Sequence, residues 1–234
     1  MGFDCLNLTA VVSNKKLQMN IGCSWSGGKD SCFALMQQLA KGDQLKVIMN
    51  VMDENQEYSK SHGLTQEVLK AQAKVLDVSI QLASASWSTY EKNFISNLQQ
   101  IKADHRIQGM VYGDIDIQKH RDWEEKVSAI ANIQAYLPLW QGNRRELVES
   151  MIDAGIRAII VSCNHTLGLD FLGVEITHDL IPKLEAHGVD VCGENGEYHT
   201  LVIDCPLFKE PIHIKKGEKV KTDNYCFIKT SLIK

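Results

Sequence analysis

Two apolar spacings alternate along this chain, short continuous runs and helical repeats. Met19–Trp25 reads as a first strand, and Ser31–Lys41 as a helix with Phe33, Met36 and Ala40 on one face, Leu35 and Leu39 beside it, and Gly42 as its stop. Leu45–Met52 is a buried-strand run. Leu64, Val68, Ala71 and Val75 set a second helix, and Val78–Leu82 a third strand. Ser88-Thr89-Tyr90-Glu91 has the form of a capping box opening a helix through Phe94, Ile95, Leu98 and Ile101. Gly109–Tyr112 predicts another strand, and Trp123, Val127 and Ile130 another helix. This order implies a parallel sheet with helices on both faces, whose ligands gather at the carboxyl ends of the strands.

The character changes at Pro138-Leu139-Trp140. A helix over 143–153 with an Asn-x-x-Glu start, a strand over 156–162, a Gly-rich loop over 165–173 and a helix over 177–187 bent at Pro182 follow. Thr200–Asp204 is a strand. The Lys-rich tail, in which Tyr225 and Phe227 interleave, reads as a solvated β-hairpin, with RNA or a protein partner as the sharper alternative. The pattern divides the chain into an extension over 1–18, an α/β unit over 19–139 and a smaller α/β lobe over 140–234.

Composition narrows the class. With 234 residues, 44% of them apolar, 23% charged and a net charge of −4, the chain reads as an ordinary globular protein without the basic face of a nucleic-acid binder. No run is apolar enough to span a membrane, and the N-terminus lacks the pattern of a secretory signal. Met1-Gly2 resembles the start of a myristoylation motif, but Leu6 stands where Ser or Thr is wanted. Seven cysteines without a Cys-x-x-Cys pair suit reduced, buried thiols in a cytoplasmic protein.

Two stretches concentrate chemistry. Ser26-Gly27-Gly28-Lys29-Asp30-Ser31 lies where a strand feeds a helix, with Ser24 just before it. Its glycines permit close backbone approach to an anion, and the helix start offers N–H groups and a positive dipole end. Lys29 adds a charge, Ser26 and Ser31 add donors, and Asp30 suits a phosphate-bound Mg²⁺. Asp30 after Lys29 departs from the Walker pattern, which wants Ser or Thr there. Cys192-Gly193-Glu194-Asn195-Gly196-Glu197-Tyr198-His199-Thr200 sets two carboxylates, an amide and an imidazole in a turn before a strand; composition alone favours a hairpin turn with solvated acids over a site that holds ammonia or a substrate amine.

The first stretch resembles the PP-loop of the N-type ATP pyrophosphatases, a HUP-like fold. Both together, with Asp204-Cys205-Pro206-Leu207-Phe208 and Pro138-Leu139-Trp140, resemble the diphthine–ammonia ligase family from about Met19 to Phe208. The family pattern reads Gly-Glu-Gly-Gly-Glu-Tyr/Phe-Glu-Thr, so Asn195 replaces a glycine and His199 a glutamate. Gly113-Asp114-Ile115-Asp116 and His120–Glu125 look like a prokaryotic branch of it. The resemblance implies ATP and Mg²⁺ as cofactors, cleavage between the α- and β-phosphates, adenylation of a small-molecule or protein carboxylate, and amidation by ammonia. It implies nucleotide contacts at Ser24, the loop, Val51, His62, Gly113 and Asp114, with catalysis by Lys29, Asp30, Glu194, Glu197 and His199. A homodimer stays open. The rival readings are a tRNA-modifying PP-loop enzyme using Cys163 or Cys192, and a nucleotide-binding regulator without turnover. Arg121 reads equally as a phosphate partner or a salt-bridge member, and Trp123 as core.

Overall fold

The computed structural model describes residues 18–60 and 62–233; residues 1–17 of the 1–18 extension, with the Met1-Gly2 start and Cys5, lie outside them. Five parallel strands form the first sheet in the order β3-β2-β1-β4-β5: β1 Asn20–Ser24, β2 Gln44–Met52, β3 Ser79–Ser84, β4 Gly109–Val111 and β5 Gln134–Tyr136. The connecting helices are α1 Lys29–Leu39, α2 Gln66–Leu76, α3 Tyr90–His105 and α4 Gln118–Ile130. Strand order reverses between β1 and β4, so the crevice for a ligand opens beyond Ser24 and Val111.

The remaining elements are α5 Arg144–Asp153, β6 Arg157–Asn164, a 3-10 turn at Leu169–Phe171, α6 Ile181–Ala186, β7 Tyr198–Asp204, β8 Ile214–Lys221 and β9 Tyr225–Leu232. Their strands make an antiparallel sheet ordered β7-β6-β9-β8. One apolar core holds α1 and α2 residues such as Leu35 and Leu69 together with Val161, Leu201 and Cys226 from this second sheet. A separate core, with Met49, Phe94, Leu98, Met110 and Val127, fills the opposite face of the parallel sheet beneath α3 and α4. The α1–α2 face of the first sheet is thus covered by the second sheet as well as by helices.

Several local expectations change. The capping box at Ser88–Glu91 does not form: the Ser88 hydroxyl lies 2.8 Å from Ser86 Oγ, the Glu91 carboxylate accepts from Lys126 and Trp123, and α3 starts behind Thr89, which makes no side-chain cap. Pro182 sits in the first turn of the short α6, where a missing N–H costs nothing, so it starts a helix rather than bending one over 177–187. The tail hairpin forms but is not merely solvated: β9 pairs with β6 and buries Cys226 and Ile228. The Asn143 cap on α5 does form, accepting from the Glu146 N–H at 3.1 Å.

Candidate active site

The Ser26–Ser31 loop joins β1 to α1, and the second sheet clamps it. Gly27, at φ +88°, turns its carbonyl toward the Val202 N–H at 2.8 Å and the Gln72 amide at 3.0 Å. Gln72, fully buried, also takes the Trp25 indole N–H at 2.8 Å and donates to the Val202 carbonyl at 2.9 Å. The first-turn N–H groups of a helix lack intrahelical partners; that of Lys29 donates to Thr200 Oγ1 at 3.0 Å. Ser26 Oγ accepts from the Gly28 N–H at 3.2 Å and lies 3.1 Å from Ser31 Oγ. Glycine is required at 28, where a Cβ would come within 2.4 Å of the His62 ring.

The loop forms one wall of a cavity of about 540 Å³. Ser26, Asp30 and Ser31 line it from the first motif, Ser24 from the end of β1, and Gly113 and Asp114 from just beyond β4. Glu194 and His199 line it from the second motif, and His62 from the loop before α2. Glu124 and His120 of α4 and Tyr225 of β9 complete it.

Lys29 is placed differently from the sequence expectation. Its ammonium is buried, bonded to the Asp30 carboxylate at 2.9 Å and to the Cys192 carbonyl, 5.0 Å from the Tyr198 ring centroid. Burial opposes its charge, but Asp30 outweighs that and holds it well above the ordinary lysine range. Lys29 therefore ties the two motifs together from behind the cavity wall.

Glu197 is turned to structure as well. Its carboxylate accepts from the backbone N–H groups of Asp190 at 3.3 Å and Asn195 at 3.0 Å, and it is not among the cavity's lining residues. Glu194 accepts from the Ile115 N–H at 3.1 Å, which locks the second motif to the segment after β4. Burial, aided by Asp114 and Asp30, raises its carboxyl to about 7. Glu124 goes further, to about 11, through burial and the neighbouring Asp114, so it is protonated at neutral pH. Burial also works on Asp114, but the His120 ring bonded to it at 2.7 Å, with Glu124, keeps it below the ordinary carboxylate range.

Buried His62 and half-buried His199 form a pair with ring centroids 4.8 Å apart. Burial lowers His62 to about 4 and His199 to about 3, so both rings are neutral at pH 7. The partner of His62 Nδ1 is the Thr200 carbonyl at 2.7 Å, so Nδ1 carries the proton. Val51 lies in a slot of about 100 Å³ beside the cavity, with Ser24, Ser26 and His62 shared between the two.

Sequence reasoning passed over several positioning residues. Arg144 bridges Asp116 at 2.6 Å and Asp190 at 2.8 Å, and Asp190 holds the Glu194 N–H at 2.9 Å. Its place inside the Asn143-x-x-Glu146 helix start was its only signal. Gln72 and Glu124 are polar side chains at helical core positions, and that misfit could have flagged them. Of the open readings, Arg121 pairs with Glu125 at 2.7 Å and stacks on Trp140, and Trp123 packs on Phe94. Among the described residues no group of three or more His, Cys, Asp or Glu side chains is set to hold a metal ion. No helix among them is long and apolar enough to cross a membrane.

Comparison with known proteins matches two family models: "Diphthamide synthase N-terminal domain" over 19–134 and "Diphthamide synthase C-terminal domain" over 143–233. A mouse protein named diphthine–ammonia ligase is 33% identical over 229 residues, covering 86% of this chain and 85% of its own. Its human counterpart is 30% identical with the same coverage. A fission-yeast protein of that name is 25% identical over 87% of this chain but only 38% of its own length. A solved chain described as a predicted subunit of tRNA methyltransferase from Methanocaldococcus jannaschii is 14% identical at a TM-score of 0.44. It covers 83% of this chain and 100% of that one, a likeness of general shape without functional weight.

Proposed function

This chain belongs to the diphthamide synthase family, and from that premise we propose that it is an ATP-dependent ligase that adenylates a carboxylate and amidates it with ammonia. The observation that carries the reading is one cavity in which the Ser26–Ser31 loop, the end of β4 and Glu194 face each other. A triphosphate seated on the loop would meet the first-turn N–H groups of α1 that Thr200 leaves free, those of Asp30 and Ser31, and the Ser26 and Ser31 hydroxyls, a ready anion site.

In the first step a substrate carboxylate oxygen attacks the α-phosphorus, the bond to the bridging oxygen breaks, and pyrophosphate leaves. Ammonia then attacks the acyl carbon, AMP departs with the carbon–oxygen bond pair, and a proton must be taken from nitrogen. Glu194 is suited to take it, because a carboxyl near 7 is half ionised at neutral pH. His199, held neutral at about 3, is a poor proton acceptor and serves better as a hydrogen-bonding wall. Lys29, Glu197 and Arg144 act as positioning residues through the contacts described above.

Mg²⁺ fits this site as an ion carried by the nucleotide. Asp30 is the loop carboxylate on the cavity, and phosphate oxygens would supply most ligands, as is usual for this ion. Bound there, it would neutralise phosphate charge.

The tRNA-thiolating alternative loses ground. Cys163 and Cys192 do not line the cavity, their thiols are bonded to the Gly168 and Arg144 carbonyls, and burial pushes both up to about 12. The test is product analysis with ATP, Mg²⁺, an ammonium salt and cell extract. AMP and pyrophosphate, dependent on extract and ammonium, are expected. ADP and phosphate would refute the chemistry, and tight ATP binding without turnover under any extract would favour a regulator.

A further inference from the structure

Amide formation from ammonium releases two protons, and the reading above supplies an acceptor for one. At neutral pH ammonia is present as ammonium, whose nitrogen has no lone pair until a first proton leaves. Once that nitrogen has attacked the acyl carbon, a second proton must leave it. A single carboxylate at Glu194 takes only one of the two. The cavity must therefore offer a second base, open enough to pass its proton to water.

His120 is placed to be that base. It stands in the first turn of α4 and lines the same cavity as Glu194. Its Nδ1 lies 2.7 Å from Asp114 Oδ1. Asp114 is held from two sides, by His120 and by the protonated Glu124, and stays ionised. A carboxylate only accepts, so Nδ1 carries the proton and Nε2 keeps its lone pair. A carboxylate that orients an imidazole in this way also stabilises the imidazolium it becomes.

The charged and titratable groups facing the ring come from several elements. They are Asp114 beyond β4, Glu194 of the second motif, Asp30 of the loop and Glu124 of its own helix, with Lys60 and Tyr90 in an adjoining recess. The bond to Asp114, aided by Glu194, holds the ring above the ordinary histidine value. With 56% of its side chain exposed, His120 has water to receive its proton. His62 and His199 line the cavity too, but burial lowers them to about 4 and 3, which makes them weak acceptors.

Resting on the ligase reading above, we propose that His120, oriented by Asp114, is the catalytic base that takes the first proton from ammonium and leaves Glu194 to take the second. One ammonium N–H bond breaks, its electron pair stays on nitrogen, and the proton moves to Nε2 and on to water. The freed pair forms the carbon–nitrogen bond, and AMP departs with the carbon–oxygen pair.

Hydroxylamine separates this role from a structural one, because it is mostly neutral at pH 7 and needs no first deprotonation. The full chain and His120→Gln are compared with ATP, Mg²⁺ and cell extract, once with ammonium chloride and once with hydroxylamine, by AMP release and hydroxamate formation. With ammonium, His120→Gln is expected to lose about a hundredfold or more in rate. With hydroxylamine it should stay within about threefold of the intact chain. The ammonium deficit should also shrink as pH rises and free ammonia becomes abundant. Equal losses with both nucleophiles make His120 a structural residue and overturn the proposal. So does an ammonium rate that His120→Gln leaves intact. Absence of ammonium-dependent AMP from the intact chain overturns the ligase reading itself, and this proposal with it.

Discussion

Replacing Gly113 by alanine tests whether the end of β4 backs the phosphate loop. A Cβ at Gly113 would lie 2.7 Å from the Ser31 nitrogen, 2.9 Å from the Asp30 carbonyl carbon and 3.0 Å from Ser31 Cα. All three atoms are backbone of the first turn of α1, so no flexible side chain can swing away. Gly113 is not in the left-handed region, so the backbone itself accepts alanine and the effect is purely steric. To relieve it, strand end and loop must separate from 2.7 Å to an ordinary contact of at least 3.4 Å. Overpacking of this kind costs about 1–3 kcal/mol. For a chain of this size a loss near the middle of that range lowers Tm by roughly 4–8 °C. The same movement displaces the N–H groups expected to meet phosphate, so ATP affinity should fall at least about tenfold, the equivalent of about 1.4 kcal/mol. Gly42→Ala is the control. Gly42 has φ +96° and open space around it, so alanine there brings strain of about 1 kcal/mol without touching the loop. Melting curves and calorimetric ATP titrations of both variants should show two destabilised proteins, of which only Gly113→Ala binds ATP poorly. If Gly113→Ala melts and binds ATP as the unmodified chain does, strand and loop are not packed as described and the cavity wall is wrongly assigned.

Thr200→Val removes the acceptor for the Lys29 N–H while keeping shape, and should cost about 1–2 kcal/mol in urea unfolding and weaken ATP binding; Thr200→Ser should retain most of both. His62, lowered from 6.5 to about 4 on folding, binds a proton more readily in the unfolded chain, so its contribution is present above pH 6.5 and lost as pH falls toward 4. His62→Phe should therefore lose stability less steeply across that window, by up to about 1.4 kcal/mol per pH unit. Glu124 has the opposite sign: raised from 4.5 to about 11, it is protonated in the folded chain where the unfolded chain is ionised, and stability declines as pH rises between these values. Glu124→Gln should flatten that decline between pH 5 and 9 by up to about 1.4 kcal/mol per pH unit, measured by unfolding at each pH.

Much of the parallel sheet could be read directly, because β1, β2 and β4 are largely apolar runs, β3 alternates, and the helices each carry an apolar stripe. Elements set by local chemistry alone were read less well. Ser88-Thr89-Tyr90-Glu91 has capping-box form, yet Ser86 takes the Ser88 hydroxyl, and Trp123 and Lys126 of α4 take the Glu91 carboxylate. Pro182 signals a helix perturbation, but whether it starts or bends one depends on where Leu180 leaves the loop. The short β5 was passed over, because three residues at a sheet edge make too little pattern. At the site, the loop and Glu194 were visible as motifs, since their neighbours in space are also neighbours in sequence. The pairing of His62 with His199, 137 positions apart, was not, nor was the withdrawal of Lys29 and Glu197 into structural bonds. Those outcomes are settled by which partners the second sheet brings close, and single-residue chemistry leaves them open.

The placement of Lys29 explains why the two motifs need each other. A lysine in a phosphate loop would ordinarily be expected to reach for phosphate, but here its ammonium bridges Asp30 and the Cys192 carbonyl. Around it the second sheet makes three further bonds to the loop and its support: Thr200 to the Lys29 N–H, the Val202 N–H to Gly27, and the Val202 carbonyl to Gln72. Each joins backbone or buried groups, so the loop cannot shift without moving β7, and β7 cannot shift without carrying Tyr198 and His199 with it. Glu194 is fixed from the other side by Ile115 and by the Arg144–Asp190 bridge. The groups proposed to seat ATP and to receive the amine proton are therefore held by one network spanning both sheets. An independent nucleotide domain would not need it; a ligase that must present one activated carbonyl to a second reactant would, because its two half-reactions share a single position in space.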